Sequence, residues 1–317
     1  MSAPIPGPVA HSDAWYALRY FDATREIPVV IGASEAGEAC GLSTWGTPLH
    51  VYLRKRKLMT DKEETERMRM GKRLEDPIVA EYAEQTGFTV KQPRRMLHLP
   101  ENLCISATPD GDVWADQNTR FIMEAKCATI RMDHKWGEPG TDEIPDEYIA
   151  QTHQQMLVTE TDRCDVAVLM DGLVRRYTVR RNERLIRSMR TALDEMIERI
   201  IEGNPPEPTW RHPKTIDLMK ALYGVEDSLE VQLDEQALIA WEKQQSIGET
   251  IRELEKERDV EKAKVMFAMG EAGIGRLPGV DDYYLTRKLV TVAAHWRGES
   301  TQKRLSSKKV AKEKPKK

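Results

Sequence analysis

The sequence predicts an α/β (α+β) fold: a mixed, mostly antiparallel central sheet flanked by helices, with a helical extension behind it. Three observations predict it. Apolar residues recur at helical spacing on both sides of residues 88–126, where the period shortens to that of strands. Asp171-Gly172, a favoured two-residue turn, sits between the strand-like runs CDVAVLM and LVRRYTVR. Beyond GNPPEPTW at 203–210 the chain changes character, so that segment reads as a linker.

The elements follow in order. Residues 12–60 read as helix, turn, helix, with Ser34 as a candidate N-cap, Gly41 as a stop, and Thr47-Pro48 as cap and first position of the next helix. Residues 61–86 read as helix, with Pro77 marking either a kink or a new helix capped by Asp76. MLHLP, LCISATPDGDVWAD and FIMEAKC read as short strands. Residues 145–160 return to helix, with Pro145 near the start. Residues 182–202 form an amphipathic helix with Leu185, Ile186, Met189, Leu193, Met196, Ile197 and Ile200 on one face. A long charged helix follows at 234–270, then short strands near 283–295. The last 17 residues carry eight Lys or Arg and one Glu, the composition of a disordered basic tail. The expected divisions are therefore 1–204, 205–300 and 301–317.

Length and composition bound the class. A chain of 317 residues suits one large domain with an appendage, or two domains, and 40% hydrophobic with 32% charged residues is an ordinary soluble balance. No apolar run approaches the ~18–20 residues needed to span a bilayer. The N-terminus lacks a basic stretch followed by an apolar one, so no membrane association and a cytoplasmic location are expected. A net charge of -4 neither supports nor excludes nucleic acid, because cations can be concentrated in one channel. Cys40, Cys104, Cys127 and Cys164 form no CxxC pair, which disfavours a zinc ribbon, a disulfide framework and an iron–sulfur cluster. His134, His153 and His212 are scattered and fit no zinc-nuclease spacing.

The chemistry centres on Asp110, Glu124 and Lys126. In a strand FIMEAK, Glu124 and Lys126 share a face. Asp110, next to Gly111 at the end of the apolar strand LCISA, comes beside Glu124 if GDVWADQNTR closes a hairpin. Two carboxylates there make a hard, oxygen-rich site suited to Mg²⁺ or Mn²⁺. A lysine beside it can orient water or offset transition-state charge. Phosphodiester hydrolysis needs those parts. The plain alternative is a β-turn at Asp110-Gly111 with a solvated strand face, but the apolar flanks FIM and LCISA place the charges where strands enter a core.

Pro109-Asp110 followed by Glu124-Ala125-Lys126 is similar to the PD-(D/E)xK nuclease motif. The stretch from about 15 to 200 resembles the YqaJ-type phage recombinase family, relatives of lambda exonuclease, through four ordered blocks. These are Ile31-Gly32-Ala33-Ser34-Glu35; Gly71-Lys72-Arg73-Leu74-Glu75; Ser106 to Gly111 with Glu124-Ala125-Lys126; and Tyr148 to Gln155, YIAQTHQQ. The resemblance implies a restriction-endonuclease-like core. It implies Asp110 and Glu124 as metal ligands with the Ala125 carbonyl, Lys126 as the catalytic lysine, Glu75 as an additional carboxylate, and Gln151 reaching the site, with Gln154 near the same face. It also implies Ser34 at a DNA phosphate, and either Arg19 or Arg25 at the DNA end.

The activity so implied is Mg²⁺- or Mn²⁺-dependent 5′→3′ resection of double-stranded DNA ends. Implied partners are a single-strand annealing protein and further copies of the chain, a trimer by analogy. Two alternatives stay open: an endonuclease on the same core, and a catalytically silent DNA-binding module. The chain departs from the family in the long separation of Arg19 from Ser34 and in the long Asp110–Glu124 segment. The resemblance does not clearly cover 205–317.

Overall fold

The computed structural model describes residues 3–60, 64–223, 230–292 and 300–309. The chain divides into two compact units, Met1–Val225 and Glu226–Lys317. In the first unit the helices are α1 (Asp13–Leu18), α2 (Ala36–Ala39), α3 (Pro48–Lys55), α4 (Glu66–Thr86), α5 (Asp146–Thr159), α6 (Glu183–Glu202) and α7 (Thr215–Leu222). Its strands are β1 (Ile5–Val9), β2 (Ile31–Gly32), β3 (Thr89–Lys91), β4 (Arg95–Leu99), β5 (Asn102–Ala107), β6 (Gly111–Trp114), β7 (Arg120–Cys127), β8 (Arg163–Met170) and β9 (Leu173–Arg180).

The strands form two mixed sheets, β1-β4-β5-β2 and β3-β6-β7-β8-β9. β2 runs parallel to β5, and β7 parallel to β8; the other pairs are antiparallel. The five-stranded sheet lies between two helices, and strand alternation sorts its residues. Phe121, Met123, Ala125 and Ala167 pack with Ile78, Val79 and Tyr82 of α4. Ile122, Val166 and Val168 pack with Met156 of α5. Glu124 and Lys126 therefore share the α5 face. The four-stranded sheet packs Ile31, Ile105 and Ala107 with Leu49, Val51 and Leu53 of α3 and with Leu193, Met196 and Ile197 of α6.

Local sequence rules account for the element ends. Thr47 caps α3, with Pro48 in its first turn. Asn182 Oδ1 accepts from the Arg184 and Leu185 N–H groups to start α6, and Gly203 ends it at φ 79°. The β8–β9 hairpin turns through Asp171 and Gly172, both at positive φ, the geometry of a type I′ turn. The long Asp110–Glu124 segment is the β6–β7 hairpin, whose turn is held by Asp116 Oδ1 accepting from the Asn118 and Thr119 N–H groups.

Three expectations are corrected. Ser34 does not cap a helix: Gly32 stands at that position, and the Glu35 side chain reaches back to the Gly32 N–H at 3.1 Å. Pro77 starts no new helix, because α4 runs from Glu66 through it to Thr86 behind the N-cap Thr65. Asp76 instead accepts from Gln92 and Arg94. The stretch after the proline-rich segment stays with the first unit, because Leu218 of α7 is buried in its core.

The second unit holds α8 (Glu235–Met269) and a sheet of β10 (Ile274–Leu277), β11 (Val280–Val292) and β12 (Ser300–Lys309) in that order. Asp234 Oδ1 accepts from the Ala237 N–H and starts α8. β12, which takes in residues 301–309 of the segment expected to be a basic disordered tail, pairs antiparallel with β11 from Val292↔Ser300 to Tyr283↔Lys309. Residues 310–317 of that expected tail lie outside the described residues. Among the described residues no helix is long and apolar enough to cross a membrane.

Candidate active site

Asp110 sits on the turn between β5 and β6, and its approach to β7 depends on the residue after it. A Cβ at Gly111 would lie 2.6 Å from Met123 Cγ and 2.7 Å from Val90 Cγ1, so only glycine lets β6 lie this close to its neighbours. Asp110 Oδ2 then accepts from the Ala125 N–H at 2.8 Å. The adjacent residue on β7 is Glu124, which is buried.

Glu124 is gripped on both oxygens. Oε1 accepts from Gln151 Nε2 and from Lys126 Nζ, each at 2.5 Å, and Oε2 accepts from Gln155 Nε2 at 2.6 Å. The two glutamines are one turn apart on α5 and present one face to the sheet. Lys126 Nζ also lies 5.1 Å from the Tyr148 ring centroid, a cation–π contact from the first turn of the same helix. Gln154 points elsewhere: its Nε2 donates to the carbonyls of Ile31 and Ser106 at 2.9 Å each, joining α5 to β2 and β5.

Charge is out of balance here. Burial, and after it the charge of Glu124, raises the Asp110 pKa well above the ordinary carboxylate value. The same two causes in the same order raise Glu75, which is half-buried on α4. Burial works against the ammonium of Lys126, but Glu124, Tyr148 and Asp110 outweigh it and the net shift is upward. Lys126 therefore stays a cation, suited to orienting and offsetting charge and unsuited to taking up a proton. Among the described residues no three His, Cys, Asp or Glu side chains come together as a ligand cage. Glu75 and Asp110 line one open groove with Thr108, Pro109, Gln92 and Arg94.

Next to the carboxylates lies a small cavity lined by Trp15, Arg19, Ser34, Ser106, Thr108, Gln151 and Gln155, among others. Ser34 is exposed, and the Arg19 guanidinium stacks 4.8 Å over the Trp15 ring centroid. Arg25 is held in its own loop, ion-paired to Asp22 at 3.1 Å and donating to the Ala17 carbonyl at 2.5 Å. Of the two arginines, the structure brings Arg19 to Ser34. A second cavity continues from Arg19 and Ser34 to Glu35, Arg54, Lys55 and Lys72. In it Glu35 pairs with Lys55 at 2.6 Å and with Arg19 at 3.2 Å. Burial pushes the Glu35 carboxyl up, but Lys55 and Arg19 outweigh it and hold it at about 2.

The structure thus gathers Asp110, Glu124, Ala125, Lys126, Glu75 and Gln151, with Arg19 and Ser34 across the adjoining cavity. Sequence reasoning did not find Gln155, Trp15 or the Glu35–Lys55 pair. The signal for Gln155 was present as its spacing of one helical turn from Gln151. The cysteines are all free, with Cys164 buried against Gln155 Oε1 at 3.8 Å.

Part of the chain is similar to one family of domains. Residues 19–162 match the family model of the YqaJ-like viral recombinase domain, the family that the four sequence blocks resemble. The uncharacterized protein YqaJ of Bacillus subtilis (strain 168) is 28% identical over 145 residues, 45% of this chain and 44% of that protein. The chain thus spans less than half the length of this curated relative. Among solved structures, the alkaline exonuclease LHK-Exo from Laribacter hongkongensis aligns with a TM-score of 0.44 and 21% identity, over 55% of this chain and 89% of that one. The same protein in complex with dAMP gives 0.46 at 21% identity and the same coverage.

Proposed function

We propose that this chain is a divalent-metal-dependent DNA nuclease that degrades double-stranded ends, a 5′→3′ exonuclease preparing single strand for recombination. One observation carries the reading. Two crowded carboxylates, Asp110 and Glu124, stand beside a lysine that keeps its charge, next to a cavity lined by Arg19 and Ser34.

The residues fit a hard divalent cation. Burial first, and then the charge of Glu124, raises the pKa values of Asp110 and Glu75, a cost that such an ion would relieve, and the oxygen donors suit Mg²⁺ or Mn²⁺. Asp110, Glu124 and the Ala125 carbonyl would hold it, with Glu75 nearby. When bound, the ion supplies Lewis-acid polarisation of a phosphate oxygen and acidifies water. The chain's own groups do the rest. Gln151 and Gln155 orient Glu124, Lys126 offsets charge developing on the phosphoryl oxygens, and Arg19 with Ser34 holds a terminal phosphate. A host cytoplasm location, assembly into a ring of copies and delivery of product to a single-strand annealing protein complete the proposal.

The test is digestion of linear duplex labelled at 5′ or 3′ ends with Mg²⁺ or Mn²⁺, beside closed circles and a Lys126→Ala control. Release of 5′ label as mononucleotide, with circles spared and the variant inactive, is the expected result. Cut circles would establish an endonuclease instead. No cleavage with either ion would leave a DNA-binding module.

A further inference from the structure

The groove that Glu75 and Asp110 line is also lined by His11, Asp76, Gln92 and Arg94, none of which the reaction uses. Asp76, Gln92 and Arg94 close a ring of hydrogen bonds. Gln92 Nε2 donates to Asp76 Oδ1 at 2.8 Å, and Arg94 Nη2 donates to Asp76 Oδ2 at 3.0 Å and to Gln92 Oε1 at 2.9 Å. The Arg94 and Asp76 side chains are 63% and 64% exposed, and an ion pair so open to water adds little to stability. Two backbones of the same groove sit in the left-handed region, His11 at φ 62° and Arg94 at φ 47°. They are joined where the Ala10 N–H donates to the Arg94 carbonyl at 2.9 Å. His enters that region more readily than most residues, but Arg has no such preference. Strain of this kind persists where the surroundings enforce it, and it gathers at binding sites. Here it sets the direction in which the Arg94 side chain leaves the chain, toward α4 and the groove.

We propose that Arg94 is a contact for an internal phosphodiester of the DNA strand on the 3′ side of the cut, and that Asp76 holds the guanidinium until DNA displaces it. The groove and the Arg19 cavity share Thr108, while Glu75 and Asp110 line the groove and not the cavity. A strand whose end lies in the cavity and whose scissile bond lies at Asp110 runs on into the groove, where it meets Arg94. Both side-chain hydrogen bonds of Arg94 leave from Nη2, so the rest of its donor fork is open to phosphate oxygens. The contact touches backbone and reads no base, which suits an activity indifferent to sequence. Asp76 competes for the same cation and keeps the hold weak enough to release as the strand advances. The inference rests on the nuclease reading of the neighbouring carboxylates and adds to it the side on which the uncut strand lies.

The experiment uses the full chain and duplexes that carry one neutral methylphosphonate, placed in turn at the second, third and fourth linkages from the 5′ end. Kd is measured without metal, and release of the first 5′ mononucleotide with Mg²⁺ or Mn²⁺. In wild type the neutral linkage at one of these positions should weaken binding by about fivefold or more. Arg94→Ala should weaken the all-phosphate duplex to a like degree, and there the same neutral linkage should cost nothing further. Asp76→Asn should act in the opposite direction and tighten the all-phosphate duplex by about threefold, since the guanidinium no longer has to leave an anion. An ion pair that serves only structure would respond alike to loss of either partner. Three outcomes overturn the inference: no penalty at any of the three linkages in wild type, additive penalties at all of them in Arg94→Ala, or an Asp76→Asn that weakens binding. Both substituted side chains are exposed, so both variants are expected to fold. Failure of the nuclease reading appears separately, as a wild type that binds the duplexes and releases no mononucleotide.

Discussion

Glu124 on β7 and Asp165 on β8 are buried acids on hydrogen-bonded neighbouring strands, and they face opposite sides of one sheet. Toward α4, Asp165 takes Arg163 Nε on Oδ1 at 2.7 Å and Arg163 Nη2 on Oδ2 at 2.6 Å. It also accepts from the Tyr82 hydroxyl at 2.7 Å and the Thr178 hydroxyl at 2.9 Å. One cation and two hydroxyls match its charge and lone pairs, and Arg163 itself stacks 4.0 Å over the Phe121 ring centroid. Toward α5, Glu124 has as many donor residues, with one hydrogen bond fewer, but also has Asp110 and Glu75 in its field. Burial and hydrogen bonding are alike at the two acids. The difference is that one cluster closes its charge and the other holds negative charge in excess.

Under the nuclease reading, the comparison breaks most sharply at Glu124 and Lys126. Lys126→Ala and Glu124→Gln should each lower turnover by at least about 10³-fold, roughly 4 kcal/mol of barrier. The melting temperature should change little in Glu124→Gln but fall in Lys126→Ala, where Glu124 is left buried without its cation. A variant with near-normal digestion would put the chemistry elsewhere. Asp165→Asn is expected to do the reverse. It should cost about 3–5 kcal/mol of stability in urea unfolding, because Arg163 is left partly buried without its anion, while turnover per folded molecule stays near wild type. Loss of turnover in a fully folded Asp165→Asn sample would erase the distinction.

Smaller effects sharpen it. Gly111→Ala should cost about 1–3 kcal/mol, since its Cβ meets Met123 and Val90 inside contact distance. Under the nuclease reading, the displaced β6 should also weaken binding of Mn²⁺ at Asp110, measurable by calorimetry. The least effect is expected from Asp110→Asn in the absence of metal. Asp110 has a raised folded-state pKa, so its protonated form carries stability that is full below the unfolded value and lost as pH rises through the folded one. At neutral pH the variant should therefore melt slightly above wild type, and the gain should vanish on acidification. An Asp110→Asn that melts below wild type at neutral pH would contradict the charge imbalance.

Much of this site was legible in the sequence. Asp110, Glu124 and Lys126 were readable because their relation is local: a turn, a hairpin, and alternation along one strand. Glu75 and Gln151 became readable only through the family's ordered blocks, since nothing in their own segments says which helix face meets the sheet. Gln155 closes the last of those blocks, yet its role was not readable, because its partner is the second oxygen of a residue 31 positions away. The Asp165–Arg163 pair drew no reading from the sequence, and its Tyr82 contact lies 83 residues off. Ser34 was read as a cap from its residue type, yet the side chain that caps is Glu35, one residue on. Pro77 marked a break that α4 passes through, because the packing of Ile78, Val79 and Tyr82 holds the helix across it.

Three glutamine amides leave one helix in two directions. Gln154 holds the backbone of β2 and β5, from which Ser34 and Thr108 follow directly, while Gln151 and Gln155 hold Glu124. Helix α5 is thus a rigid ruler laid between the cavity of Arg19 and the carboxylates. Under the nuclease reading, the step from where an end is held to where it is cut is measured by helical pitch, ~1.5 Å per residue, and loop motion cannot reset it.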